Sequence, residues 1–529
     1  MRNIPDIWGG GQLLAFSGID GRTDFHRGLC LRTAFSGYDL ELKRPHEGRV
    51  RYTGGAPERV ELAGDFFRLC TADRVSSGVL ADDLNLLLDG DFTVETGPEY
   101  EVVSEGKRSI VAPAGSLRRE LLRADIDGII AARAAFLNDV RLPEYATPAA
   151  RRTALKAWSQ LKTQICSPEG LLRHRWSTPD RWPHRNIWLW DSVFHAIGMR
   201  HRDPVLAREL ISAMFDLQQP DGLIPHSGNV DRVRLMTQPP VLSLAMRLID
   251  AAAPAPEWIA ELAPKLGRYL EWLMAHRDRD GGGLLEWEIS DNPACRCGES
   301  GMDNSPRFDR ANRLDATDFN AFLAFECESM AEFLPAQREY WLGHHRRLCR
   351  LMNERLWNDR LGMYVDFDLD ASAQSDVLAS SGFLPLYCGA ASAEQANKLA
   401  AHLTDPATFG TPLRVPSIAR NNSAAYRKDM WRGPVWVNIN YLIALGLERY
   451  GHHELARSIV RDTMTELEKW YLRCGTFFEF YDDRQEVEPR RLERKGKMPE
   501  VYHPSHQVFH DYGWTATLYL EMLYRPEWN

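Results

Sequence analysis

The stretch Glu299-Ser300-Gly301-Met302-Asp303-Asn304-Ser305-Pro306-Arg307-Phe308 sets a carboxylate, Asp303, among amide, hydroxyl and guanidinium groups on a loop punctuated by Gly301 and Pro306. A loop of this kind suits an acid that must be held in one orientation to pass a proton. The same residues could also form an Asx-turn between two helices. Three further polar-aromatic loops favour chemistry. Trp188-Leu189-Trp190-Asp191 opens a helical pattern that continues through His195, although Asp191 could simply be an N-cap. Pro220-Asp221-Gly222 leads on to Gln238-Pro239-Pro240. Trp431-Arg432-Gly433-Pro434-Val435-Trp436 is followed by Phe477-Phe478-Glu479-Phe480-Tyr481 and by Tyr512-Gly513-Trp514.

Together these loops offer indole faces for the C–H surface of a sugar, amides and carboxylates for its hydroxyls, and two acids for a bond. Competing chemistry lacks support: there is no GxSxG elbow, no phosphate loop and no GxGxxG between a strand and a helix. Cys295-Arg296-Cys297 has no second Cys/His pair at ligand spacing, and the His344-His345 and His452-His453 pairs fall on charged helical faces. Neither a metal nor a cofactor is therefore expected. A net charge of −9 argues against nucleic-acid or anionic-membrane partners. The basic residues Arg490, Arg491, Arg494, Lys495 and Lys497 are interleaved with acids and read as a solvated loop. Nine scattered cysteines behind an N-terminus without an apolar leader fit a reducing cytoplasm. The oligomeric state is not legible.

The elements that must position these loops differ along the chain. Over 1–115 the pattern is β-like, with strands expected at 13–16, 29–33, 49–52, 59–62, 92–95 and 100–103, as in an antiparallel sandwich. Its expected job is structural, packing on the main domain and walling one side of a site. Residues 116–145 read as a linker helix. Over 146–529 helical periodicity appears at 149–166, 190–201, 203–217, 238–251, 255–276, 317–335, 337–357, 377–388, 392–403, 433–450, 453–470 and 508–523. Six helical hairpins with long loops after alternate helices predict a mainly α chain built on an (α/α)6 barrel. An open solenoid would need a fixed sequence repeat, and none is present.

The motifs at 188–191, 220–222, 238–240, 299–307, 431–436 and 512–514, six in their order from about residue 180 to the C-terminus, resemble glycoside hydrolase family 63, the processing α-glucosidases and their bacterial relatives, which share a clan with the trehalases. The resemblance implies an (α/α)6 barrel that hydrolyses α-glucosidic or similar bonds with inversion. Asp303 matches the family's general acid. Glu479 matches its base more loosely, with Glu493 and Glu500 as nearby alternatives. Trp188, Trp190, Trp431 and Trp436 would wall the sugar subsite, Asp191, Gln238, Arg307 and Asn438 would bind hydroxyls, and His195 and Gly433 complete the expected set. The substrate would be a small α-glycoside, such as a disaccharide, a glucosylglycerate or a mannosylglycerate. The leaving-group subsite is assigned to loops 140–185, 410–430 and 485–507. An (α/α)6 phosphorylase and a non-catalytic sugar-binding protein are the rival readings.

Overall fold

The computed structural model describes residues 4–496 and 508–529. Its N-terminal part is built from strands β1 (Leu13–Ala15), β2 (Cys30–Thr33), β3 (Leu40–Arg44), β4 (Gly48–Tyr52), β5 (Arg59–Leu62), β6 (Phe66–Cys70), β7 (Val75–Leu80), β8 (Leu86–Asp89), β9 (Phe92–Thr96), β10 (Tyr100–Glu105) and β11 (Arg108–Pro113). These form two antiparallel sheets, one in the order β1-β2-β3-β4-β9 and the other in the order β10-β11-β8-β7-β6-β5. Leu31, Leu42 and Val50 from the first sheet share an apolar core with Phe67, Leu80, Leu88 and Val111 from the second, so the sheets pack face to face.

The alternate residues of the second sheet, Phe66, Val79, Leu87 and Ile110, belong instead to the core of the helical part. The middle strands of this sheet are therefore covered on both faces, while the edge strand β10 is largely exposed. Strands such as Phe66-Phe67 and Leu86-Leu87-Leu88 consequently carry no polar alternation. That is why sequence periodicity found β1, β2, β4, β5, β9 and β10 but passed over β6, β7, β8 and β11. It also missed β3, whose Glu41, Lys43 and Arg44 resemble a loop.

The helices are α1 (Ile126–Asn138), α2 (Pro148–Gln164), α3 (Leu189–Met199), α4 (Pro204–Asp216), α5 (Leu242–Ala252), α6 (Pro256–Arg277), α7 (Thr317–Phe333), α8 (Arg338–Arg355), α9 (Leu384–Cys388), α10 (Ala393–Thr404), α11 (Val437–Arg449), α12 (His453–Cys474) and α13 (Gly513–Tyr524). Each of the twelve expected helical segments contains one of α2 to α13. The segment at 377–388 holds the least, a single 3-10 turn at Ser380–Phe383 running into the short α9.

Helix α3 packs on α5, α5 on α7, α7 on α9, α9 on α11, α11 on α13, and α13 returns to α3, so the contacts form a closed cycle. Every residue of α3 is buried, as a helix surrounded by others requires. Helix α8, by contrast, buries only Trp341, Leu348 and Met352 and packs on α7 and α9.

Candidate active site

Helices α2, α4 and α10 start conventionally: Thr147, Asp203 and Ser392 accept backbone N–H bonds as N-caps. Three helices of the closed cycle begin differently. The N-cap positions of α3, α11 and α13 are Trp188, Trp436 and Tyr512, none of which caps with its side chain. All three line one cavity. Asp191 is therefore no N-cap; it sits in the first turn of α3.

This inner cavity is narrow, about 60 Å³, and its walls include Trp188, Trp190, Asp191, Gln238, Asp303, Trp436 and Glu479. His184, His226, Arg494, Tyr512 and Trp514 complete much of the remainder. An adjoining outer cavity of about 680 Å³ shares His184, Trp188, His226, Asp303 and Arg494 and adds Arg234, Glu288, Arg296 and Lys495. Asp303 thus borders both spaces, whereas Glu479 borders only the inner one.

Two consecutive cations serve the two carboxylates. Arg494 Nε and Nη2 donate to Glu479 at 2.8 and 3.2 Å, and Lys495 Nζ stands 2.8 Å from Asp303 Oδ2. Asp191 Oδ1 is buried with no hydrogen-bond partner among the described residues. Burial, helped by the nearby charges of Asp180 and Glu479, raises its carboxyl well above the usual range. Burial likewise lowers His226 to about 4, which keeps that ring neutral at neutral pH.

The loop bearing Asp303 is anchored by its own buried carboxylate. Glu299 accepts from Arg277 Nε at 3.0 Å and from the backbone N–H groups of Thr237 and Glu288, which ties three segments together. Gly301 has φ +69°, and a Cβ there would lie 2.3 Å from Trp190. Asn304 Oδ1 accepts from Trp431 N at 3.0 Å, joining this loop to the Trp431–Trp436 turn.

Several expected contacts take other places. Arg307 is fully enclosed beneath the cavity: Nε and Nη2 donate to Asp366 at 2.6 and 2.9 Å, and Nη1 and Nη2 donate to Asp318 at 2.7 and 2.8 Å. With every nitrogen engaged it has no donor left for a sugar hydroxyl. Trp431 backs the wall instead of forming it, stacked on Trp436 with centroids 3.8 Å apart. His195 is buried, with Nδ1 2.8 Å from Ser177 Oγ, and Asn438 is buried in the first turn of α11. Neither reaches the cavity lining. Gly433 allows a close backbone approach, since a Cβ would meet the Arg427 carbonyl oxygen at 2.0 Å. Glu493 is exposed, and Glu500 and Lys497 lie outside the described residues.

The residues lining the inner cavity all lie between Pro179 and Trp514, so the N-terminal sheets form none of its wall. They support it from behind: Leu13 N donates to Asp511 Oδ2 at 2.5 Å, one residue before Tyr512. His184, His226, Arg494, Tyr512 and Trp514 went unassigned from sequence. Tyr512 and Trp514 were signalled by the closing aromatic motif, but a buried Arg494 could not be told from its solvated neighbours.

Residues 184–515 match the model of the mannosylglycerate hydrolase MGH1-like glycoside hydrolase domain. Mannosylglycerate hydrolase MGH1 of Selaginella moellendorffii is 27% identical over 380 residues, covering 56% of this chain and 75% of the relative. A mannosylglycerate hydrolase of Thermus thermophilus is 26% identical over 384 residues, covering 56% and 88%. The crystal structure of a family 63 mannosylglycerate hydrolase from Thermus thermophilus in complex with glucose superposes with a TM-score of 0.58 at 24% identity, covering 70% of this chain and 99% of that one. The ordered motifs and a family match spanning more than half of the residues lead to one conclusion: the chain belongs to the MGH1-like glycoside hydrolases of family 63.

Proposed function

We propose that this glycoside hydrolase is an inverting α-glycosidase acting on small α-glycosides of the glycosylglycerate class, with α2 to α13 arranged as an (α/α)6 toroid. The placement of Asp303 between the two cavities carries the reading, because a glycosyl ring inside and its aglycone outside put the bridging oxygen beside that residue. Asp303 protonates the leaving oxygen. Glu479, held by Arg494, takes a proton from the water that attacks the anomeric carbon from the opposite face. Inversion calls for a carboxyl separation of roughly 6.5–9.5 Å, which leaves room for that water. Lys495 pairs with the Asp303 carboxylate left after the proton departs.

Trp188, Trp190, Trp436 and Trp514 give the sugar its apolar walls, and the Asp191 carboxyl and the Gln238 amide offer hydrogen-bonding groups for its hydroxyls. Arg234, Arg296 and Lys495 in the outer cavity suit an aglycone that bears a carboxylate, and the relatives' names point the same way.

The test offers α-mannosylglycerate, α-glucosylglycerate and neutral α-linked disaccharides in parallel and follows the first-formed anomer by NMR. Fastest turnover of a glycosylglycerate with the β-anomer appearing first supports the reading. First release of the α-anomer, or cleavage only when phosphate is added, would overturn it.

A further inference from the structure

Nine cysteines are present, and two of them meet outside both cavities, where α8 packs on α9. Cys349 Sγ lies 3.6 Å from His345 Nε2, one helical turn earlier in α8. His345 Nδ1 is 2.9 Å from the carbonyl oxygen of Ala324, which only a protonated Nδ1 can donate to. Nε2 is thereby directed at the thiol, either to accept its proton or, once protonated, to hold the thiolate. On the other side the Cys349 thiol interacts with the side chain of Cys388, the last residue of α9, whose own Sγ lies 3.6 Å from the Pro385 carbonyl oxygen. The Arg449 guanidinium adds positive charge, although it is paired with Glu328.

The Cys388 interaction, with His345 behind it, outweighs burial and pushes the Cys349 thiol down to about 5. Burial pushes Cys388 up. Cys349 is also partly exposed, whereas Cys388 is buried. Cys295 and Cys474 are exposed to a similar degree, but burial and nearby carboxylates push their thiols up to about 12 and about 11.

We propose that Cys349 and Cys388 are a hydroperoxide-reactive thiol pair that closes to a disulfide between α8 and α9. A thiolate within reach of solvent, touching a protonated buried thiol, is the arrangement in which one sulfur attacks and the other resolves. The Cys349 thiolate attacks a peroxide oxygen, the O–O bond breaks, and the departing hydroxide takes a proton from imidazolium to leave as water. The resulting Cys349 sulfenic acid is attacked by the Cys388 sulfur; the S–O bond breaks and a second water leaves. One hydrogen peroxide thus oxidises two thiols to one disulfide and yields two waters.

The experiment treats the reduced full chain with equimolar hydrogen peroxide and maps its peptides without reduction. A Cys349–Cys388 linkage that dithiothreitol reverses is expected, with dimedone labelling Cys349 in C388S. Iodoacetamide at pH 6.5 should alkylate Cys349 at least about tenfold faster than Cys295 or Cys474, in line with its thiolate fraction, and H345Q should lose most of that lead. If the untouched chain forms no such linkage, or Cys349 reacts no faster than the other two, the proposal fails. Both readings come from the wild-type chain, so poor folding of a variant cannot mask the result.

Discussion

Two groups of carboxylates and cations, one gathered on Arg307 and the other around Asp303, four residues earlier in the same loop, do opposite work. Beneath the cavity Arg307 is shared by Asp318 and Asp366, with side chains 0–3% exposed. At the cavity Asp303 and Glu479 each pair with one cation among the described residues, and the Asp303 side chain is 22% exposed. The lower group spends its hydrogen bonds on itself and on neighbouring donors such as Trp287 Nε1 and Thr317 N, and so holds the fold. The upper group keeps a side of each carboxylate open to the cavity, and only such a group can exchange protons with a guest.

The sharpest break between the two comes from removing the open carboxylates. Asp303→Asn and Glu479→Gln should each lower kcat by about 10³-fold, roughly 4 kcal/mol of barrier; the unfolding midpoint in urea stays near that of the parent in Asp303→Asn, whereas Glu479→Gln, which leaves the buried Arg494 without its carboxylate, also loses stability. Arg307→Met should do the reverse. Two buried carboxylates lose their only guanidinium, which costs about 3–5 kcal/mol of stability, while kcat per folded molecule stays within a few-fold. Near-normal turnover in Asp303→Asn, or an Arg307→Met chain as stable as the parent, would erase the distinction.

Acid should weaken the folded state through its buried imidazoles. Burial lowers His195 to about 3, and His226 and His510 to about 4 each. The unfolded chain therefore binds protons that the folded chain refuses below about pH 6.5. Stability should fall by several kcal/mol between pH 6.5 and 4, read as a falling thermal midpoint. A flat midpoint over that window would deny that these rings are buried and neutral.

The smallest effect concerns the aglycone. Arg234→Gln should reduce kcat/KM for a glycosylglycerate by about tenfold, roughly 1.4 kcal/mol, and leave a neutral α-glycoside nearly unchanged. Equal losses on both substrates would remove the outer cavity's role in recognising charge.

Helical periodicity was legible where helices such as α8 and α10 set a few buried positions against an exposed face, or end at a Gly signal such as Gly475 after α12. The doubly covered strands offered no contrast and were lost. Within the site, Asp303, Trp190 and Glu479 could be picked out because their neighbours were aromatic and non-periodic. Arg307 sits in the same motif, yet what decides its role is Asp318 and Asp366, 11 and 59 residues away. No local pattern carries that information. Trp431 and Trp436 look alike in sequence, but only the fold says which of two stacked rings faces the cavity.

The doubly covered sheet also bears on how this scaffold could be cut or recombined. Phe66, Val79, Leu87 and Ile110 belong at once to the strands and to the helical core, so the chain has no dry seam along which its halves part. A fragment starting at α1 would display that oily flank and self-associate. Engineering is thereby steered toward the loops around the two cavities, where insertions leave the shared wall intact.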